Sequence, residues 1–185
     1  MGVWIDLIGS FVFGSLLGLN VLRLNADMSE HSFEASLTYI AQHGALTIAQ
    51  IVEEDVAKAG YGASGPAILL ADSTEFEFRA DLDGDSAVDT LHYYLSSTAA
   101  ASATQNPEDR ILYRALNGGA PQSLDLGITR FNLSYFDAAG DSLALPVTVG
   151  DIRQIRVDMV VESTEPYDTT YVRAFLPLRI RPKNL

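Results

Sequence analysis

Residues Leu7 to Leu22, LIGSFVFGSLLGLNVL, carry no charged side chain, and from Leu24 to Ala59 the sequence turns polar while keeping helical spacing. The two stretches read as one long helix in two halves: a greasy stem, then an amphipathic continuation that stops at Gly60-Tyr61-Gly62. In the second half Phe33, Leu37, Ile40, Ala41, Leu46, Ile48, Ile51, Val52 and Val56 recur mostly at three- and four-residue steps, which marks one stripe for a partner to cover. Gly44 is a candidate bend, and Gly60 and Gly62 a candidate C-cap.

The stem is borderline as a membrane span. A bilayer-crossing helix needs about 20 mostly apolar residues, and the uncharged run is 16, Leu7 to Leu22. Gly9, Gly14 and Gly18 each lower helix propensity by about 1 kcal/mol relative to alanine in water. In exchange Ser10, Gly14 and Gly18, at four-residue steps, form a small-residue strip along which helices approach closely. Packing of helix on helix is therefore favoured over a solitary span. Asp6 lies in the first turn, where the helix dipole favours negative charge. It is either an interfacial acid or the partner of a neighbouring subunit's α-amino group. No Lys or Arg precedes Arg23, and Asn20-Val21-Leu22-Arg23 is a poor cleavage site, so the stem is read as retained. Arg23 alone is too weak a signal to orient the helix.

Beyond Gly65-Pro66 the period changes from 3.6 to 2. Glu75 to Ala80 and Asp89 to Leu95 alternate and are joined by Asp81-Leu82-Asp83-Gly84-Asp85, the signature of a hairpin. Ser96 to Asp109 reads as a mobile polar loop, and strands are expected at Arg110–Ala115, Ile128–Phe136, Asp151–Glu162 and Tyr171–Ile180. The expected class is α+β: a long N-terminal helix packed on an antiparallel sheet. The divisions are a hydrophobic stem over 1–24, an amphipathic half-helix over 25–62 and a β-rich head over 63–185.

The chain has 185 residues, a net charge of −12 and no cysteine. The charge argues against nucleic acid or anionic lipid as a partner of the head, and the missing cysteine excludes disulfides and thiolate metal sites. Asp81, Asp83, Asp85 and Asp89 hold the first, third, fifth and ninth positions of an EF-type calcium loop. Ser86 stands where that loop has glycine, and His92 where it has a bidentate glutamate. A polar hairpin turn is the simpler reading and a weak Ca2+ or Mg2+ site the alternative; no other cofactor is expected. His31, His43 and His92 are the only histidines, and no zinc-protease, nucleophile-elbow, phosphate-loop or dinucleotide pattern occurs. Glu53-Glu54 and Glu75/Glu77 read as solvated faces, and Tyr93-Tyr94 and Tyr135-Phe136 as sheet packing. The chain is not expected to be an enzyme. Arg153, Arg156, Arg173, Arg179, Arg181 and Lys183 make the C-terminal third locally basic, offsetting the rest of the head or an acidic face of a neighbouring subunit.

The helix closing on Asp55-Val56-Ala57-Lys58-Ala59-Gly60-Tyr61 resembles the minor pilins of type IV pili and the related pseudopilins, in whose PilW-like group helix one ends on a similar D-x-x-x-A-G-Y string. The hairpin Phe76 to Leu95, the string Leu112-Tyr113-Arg114, Ile128 to Gly140 and Ile152 to Val157 look like that group as well. The order of these strings carries more weight than any one of them. The start departs from the family: prepilins carry a basic leader, then glycine and, soon after, a glutamate. Here the chain opens Met1-Gly2-Val3-Trp4-Ile5-Asp6, with aspartate in place of that glutamate if Gly2 is the mature first residue. The resemblance implies a structural, filament-forming or membrane-anchored subunit whose head lies outside the cytoplasm. Its partners would be copies of itself or related subunits bound through Asp6, Ser10, Gly14 and Gly18, with membrane lipid a possible contact of the stem. Two rival expectations are a single-copy membrane-anchored accessory of an envelope or secretion complex, and a small module binding a carbohydrate or cation at the Asp81–Asp89 turn.

Overall fold

The computed structural model describes residues 2–185, apart from the side chains at 125 and 126. Helix α1 runs Gly2–Ala57, and eight strands follow: β1 Ile68–Ala71, β2 Glu75–Ala80, β3 Asp89–Leu95, β4 Arg110–Leu116, β5 Gln122–Phe136, β6 Ser142–Leu143, β7 Gln154–Glu162 and β8 Arg173–Ile180. They form one antiparallel sheet in the order β1-β2-β3-β4-β5-β7-β8, with β6 on β5. The class is α+β, as the change of period implies. The chain divides into two units, residues 1–37 and residues 38–185.

In the first unit the helix exposes apolar side chains on every side, from Val3 and Trp4 through Phe11, Phe13, Leu17 and Leu22 to Leu24. By length and composition this helix can cross a membrane.

In the second unit the helix continues through Gly44 and buries Ala41, Ala45, Ile48, Ala49, Val52 and Val56 in the core. Three of the expected stripe positions, Phe33, Ile40 and Leu46, are exposed, and in this unit Ala45 and Ala49 lie against the sheet. The covered stripe is thus narrower and smaller in side chain than hydrophobicity alone implies, because alanine lets a helix lie close to a pleated surface. The helix ends where Gly60 takes φ +83°; a Cβ there would come within 2.6 Å of the Asn184 carbonyl oxygen. Its amide donates to the Arg79 carbonyl, tying the cap to β2.

The inner face of the sheet follows from alternation. Phe76 and Phe78 pair with Tyr93 and Leu91 across β2 and β3, and Leu112, Phe131, Leu133, Tyr135, Ile155, Val157 and Met159 complete the core. Each such large side chain contributes about 1.5–3 kcal/mol on burial, and Phe78→Ala, at a fully buried site, would cost about 3–5 kcal/mol.

Strand β5 begins six residues before the expected Ile128 and serves two halves of the sheet. Its first part pairs with β4 as far as Ile128 opposite Arg110; from Ile128 to Phe136 it pairs with β7. The register slips at this changeover, where Gly127 takes φ +73°. A Cβ on Gly127 would lie 2.3 Å from the Glu162 carbonyl oxygen, so only glycine lets β5 pass this close to β7. Past the changeover the other edge of β5 is met by the β1–β2 turn: the Leu133 amide donates to the Ser73 carbonyl, and the Tyr135 hydroxyl to that of Asp72. The segment Ser96–Asp109, expected as a mobile loop, contains a 3-10 turn at Thr98–Ala101 and buries Ala101, Asn106 and Asp109.

Candidate functional site

The stem residues singled out by the sequence lie in the first unit. Gly9, Gly14 and Gly18 face open space, with no atom within 4 Å of where a Cβ would stand. The Ser10 hydroxyl donates to the Asp6 carbonyl at 2.8 Å, Ser15 to Phe11 at 2.6 Å, and the Asn20 amide to Leu16 at 3.0 Å. Polar side chains in the apolar run therefore place donors on carbonyls of their own helix, the arrangement that apolar surroundings require. Asp6 is exposed at the side of this helix.

At the β2–β3 turn the structure gathers three of the four aspartates. One carboxylate oxygen from each of Asp81, Asp83 and Asp85 lies within 4.8 Å of the others. Asp81 is buried and accepts the amides of Gly84 at 2.7 Å and Ser86 at 3.1 Å; Asp83 and Asp85 accept those of Asp85 and Ala87. Asp89 turns the other way, accepting the Leu82 amide and the Asn117 side-chain amide. His92 faces Glu75 across the hairpin, Nε2 to Oε1 2.7 Å, and its ring lies beside Tyr94 on the outer face. A cation held here would thus have three carboxylates and no ligand from His92. The Lys58 ammonium donates to the Leu82 carbonyl at 2.8 Å, so the helix supplies a positive charge beside the loop.

Two charged clusters were not anticipated from sequence. Asp55 accepts bonds from Arg114 Nε at 2.7 Å and from the Tyr93 hydroxyl, all largely enclosed between helix and sheet. Burial, reinforced by the neighbouring Asp55 carboxylate, pushes the Tyr93 hydroxyl far above its usual range; the hydrogen bond to Asp55 raises Arg114. The strings that carried the resemblance, at Asp55 and at Arg114, meet in this ion pair. Its signal was present: Arg114 stands two residues after Leu112, which is buried, on the face of β4 opposite buried Tyr93, and an inward charge needs a partner. In the second cluster, buried Glu162 accepts Arg173 Nε and a second guanidinium nitrogen, each at 2.7 Å, and the Asn106 amide at 3.0 Å.

On the outer face a cleft of about 620 Å³ opens where β4 ends and β5 carries on, lined by Thr74, Leu95, Arg110, Arg130, Asp158 and Phe175, with Glu108 among its walls. A second hollow of about 390 Å³ lies between Tyr39, Ile40, His43 and Gly44 of α1 and Gly127 and Thr164.

Compared with protein-family models, with curated proteins and with solved structures, the chain matches none.

Proposed function

We propose that the chain is a non-enzymatic structural subunit of a pilin-like filament or membrane-associated assembly, held by packing of its N-terminal helix, with its acidic head outside the cytoplasm. The observation that carries this reading is the stem: an unbroken helix with Phe, Leu, Val and Ile exposed on all sides and an open strip at Ser10, Gly14 and Gly18. Leaving side chains of this size in water costs about 1.5–3 kcal/mol each, so lipid or other helices must cover them. The glycine strip favours helices, because close approach of backbones is what it provides. The test is the full chain in detergent and after return to lipid vesicles, read by crosslinking and electron microscopy. A ladder of oligomers or fibres is expected; dispersed monomers in both media would overturn the assembly.

A second reading is favoured by one observation: among the described residues, a single helix is by length and composition able to cross a membrane. In it the chain is a one-per-complex anchored accessory of an envelope or secretion assembly. Monomers that stay with the vesicles and co-purify with a larger complex at one copy each would select it.

A further inference from the structure

We propose that the outer-face cleft receives the Asp81–Asp89 loop of a second copy of this chain, so that heads join end to end. The inference rests on the assembly reading above and gives it a specific contact between heads.

The cleft gathers two guanidinium groups, Arg110 and Arg130, in a chain whose net charge is −12. Of its carboxylates, Asp158 is taken by Arg156 at 3.0 Å. Arg130 is exposed and, among the described residues, is joined to no carboxylate, and Arg110 spends one nitrogen on the Ser96 carbonyl. Phe175, 57% exposed, adds an apolar wall. Two guanidinium groups and a ring thus outweigh the one remaining acid, Glu108.

The loop has the complementary character. Asp83 and Asp85 are exposed, each with one oxygen on a backbone amide, and with Asp81 they form a tight group of like charges. Such a group gains most from an incoming cation, and a guanidinium can bind two carboxylate oxygens at once. Val88, three residues after Asp85 and 38% exposed, supplies the apolar counterpart to Phe175.

Placement decides the geometry. The loop joins the far ends of β2 and β3, whereas Thr74 and Leu95, at the near ends of the same strands, border the cleft. Across the six residues of β2 the two lie roughly 20 Å apart at about 3.3 Å per residue. Loop and cleft lie on opposite ends of one hairpin, so a copy whose loop is seated in a neighbour still presents an open cleft to a third. They make a heterologous contact, which propagates from copy to copy.

The absence of cysteine makes the test direct. Full-length chain carrying Asp85→Cys is mixed in detergent with full-length chain carrying Thr129→Cys, a change in the cleft wall, and the disulfide between copies is measured under mild oxidation. A yield at least tenfold above that of an Asp85→Cys and Gln122→Cys pair is expected, since Gln122 lies at the opposite end of β5 from the cleft. The yield should fall as ionic strength rises from about 0.05 M to about 0.5 M. Adding Arg130→Glu to the Thr129→Cys copy should remove the excess, and Asp83→Arg on the Asp85→Cys copy should restore it. An excess that is absent, or present but indifferent to both charge reversals, overturns the contact. Sedimentation of the unmodified chain, and of Gly14→Leu, reports stem association separately. Stem oligomers without the disulfide sink this inference alone, whereas monomers throughout sink the assembly reading as well.

Discussion

Asp55, in the last turn of α1, accepts Arg114 Nε at 2.7 Å and a second guanidinium nitrogen at 3.3 Å, locking the helix to a middle strand of the sheet. Removing one partner of an enclosed pair leaves the other without compensation. Asp55→Ala should therefore destabilise the head by about 2–4 kcal/mol, and Tyr93→Phe, which removes one hydrogen bond, by about 1 kcal/mol. Urea unfolding followed through the head's tyrosines measures both; an Asp55→Ala loss no larger than that of Tyr93→Phe would contradict the ion pair's role.

Two glycines with left-handed backbones should respond differently. Gly84 has φ +82° and open space around it, so Gly84→Ala pays only the conformational strain, about 1–2 kcal/mol. Gly127→Ala adds a collision with the Glu162 carbonyl at 2.3 Å and should cost clearly more, about 3 kcal/mol or above. Equal denaturation midpoints for the two variants would refute the close approach of β5 and β7.

Alkaline pH should weaken the head. Tyr93 and Tyr135 are both fully buried, and burial first, then the nearby Asp55 and Asp72 carboxylates, raise both hydroxyls well above their usual value near 10. Below pH 10 each is protonated whether the chain is folded or not, and contributes no pH dependence. Above it the unfolded chain loses protons that the folded chain keeps, so stability falls as pH rises, by about 1.4 kcal/mol per pH unit per tyrosine at the limit. Unfolding midpoints between pH 9 and 12 report the slope. It should be shallower in a Tyr93→Phe background.

Bulk on the stem strip should block association without removing hydrophobicity. Gly14→Leu with Gly18→Leu fills the space where no atom now lies within 4 Å and should weaken stem-mediated oligomers by tenfold or more. The chain should remain in the detergent or vesicle fraction. Undiminished oligomers would move the contact to another face of the helix.

The β2–β3 turn closes on its own amides. Asp81→Ala, which loses the bonds to Gly84 and Ser86, should cost about 1–3 kcal/mol without any added ion. Calorimetric titration with Ca2+ is expected to give no heat and no change in melting temperature; a rise of several degrees would assign the three aspartates to a cation.

The helix and the β2–β3 hairpin were legible because each carries a single strong period. Ile40 and Leu46 were misplaced because hydrophobicity ranks them above Ala45 and Ala49, whereas the sheet selects for closeness. The first six residues of β5 escaped because Gly127 reads as an end of a strand, when it marks a change of partner within one. Strands β1 and β6 are four and two residues long, too short for alternation to register. The three-aspartate group was visible as spacing. The cleft was not, because Thr74, Arg110, Arg130 and Phe175 come from four separate strands or turns and meet only through the order of the sheet.

Ser10, Ser15 and Asn20 direct hydrogen-bond donors at carbonyls one turn back along their own helix. A surface of this kind offers neighbours shape and little directional bonding. In the proposed assembly it would hold a companion by fit, with exposed Asp6 its charged contact, and a stem with a different pattern of small residues would be rejected by steric mismatch. In any mixed assembly, discrimination between subunits of similar stem would then fall to the charged surfaces of the heads.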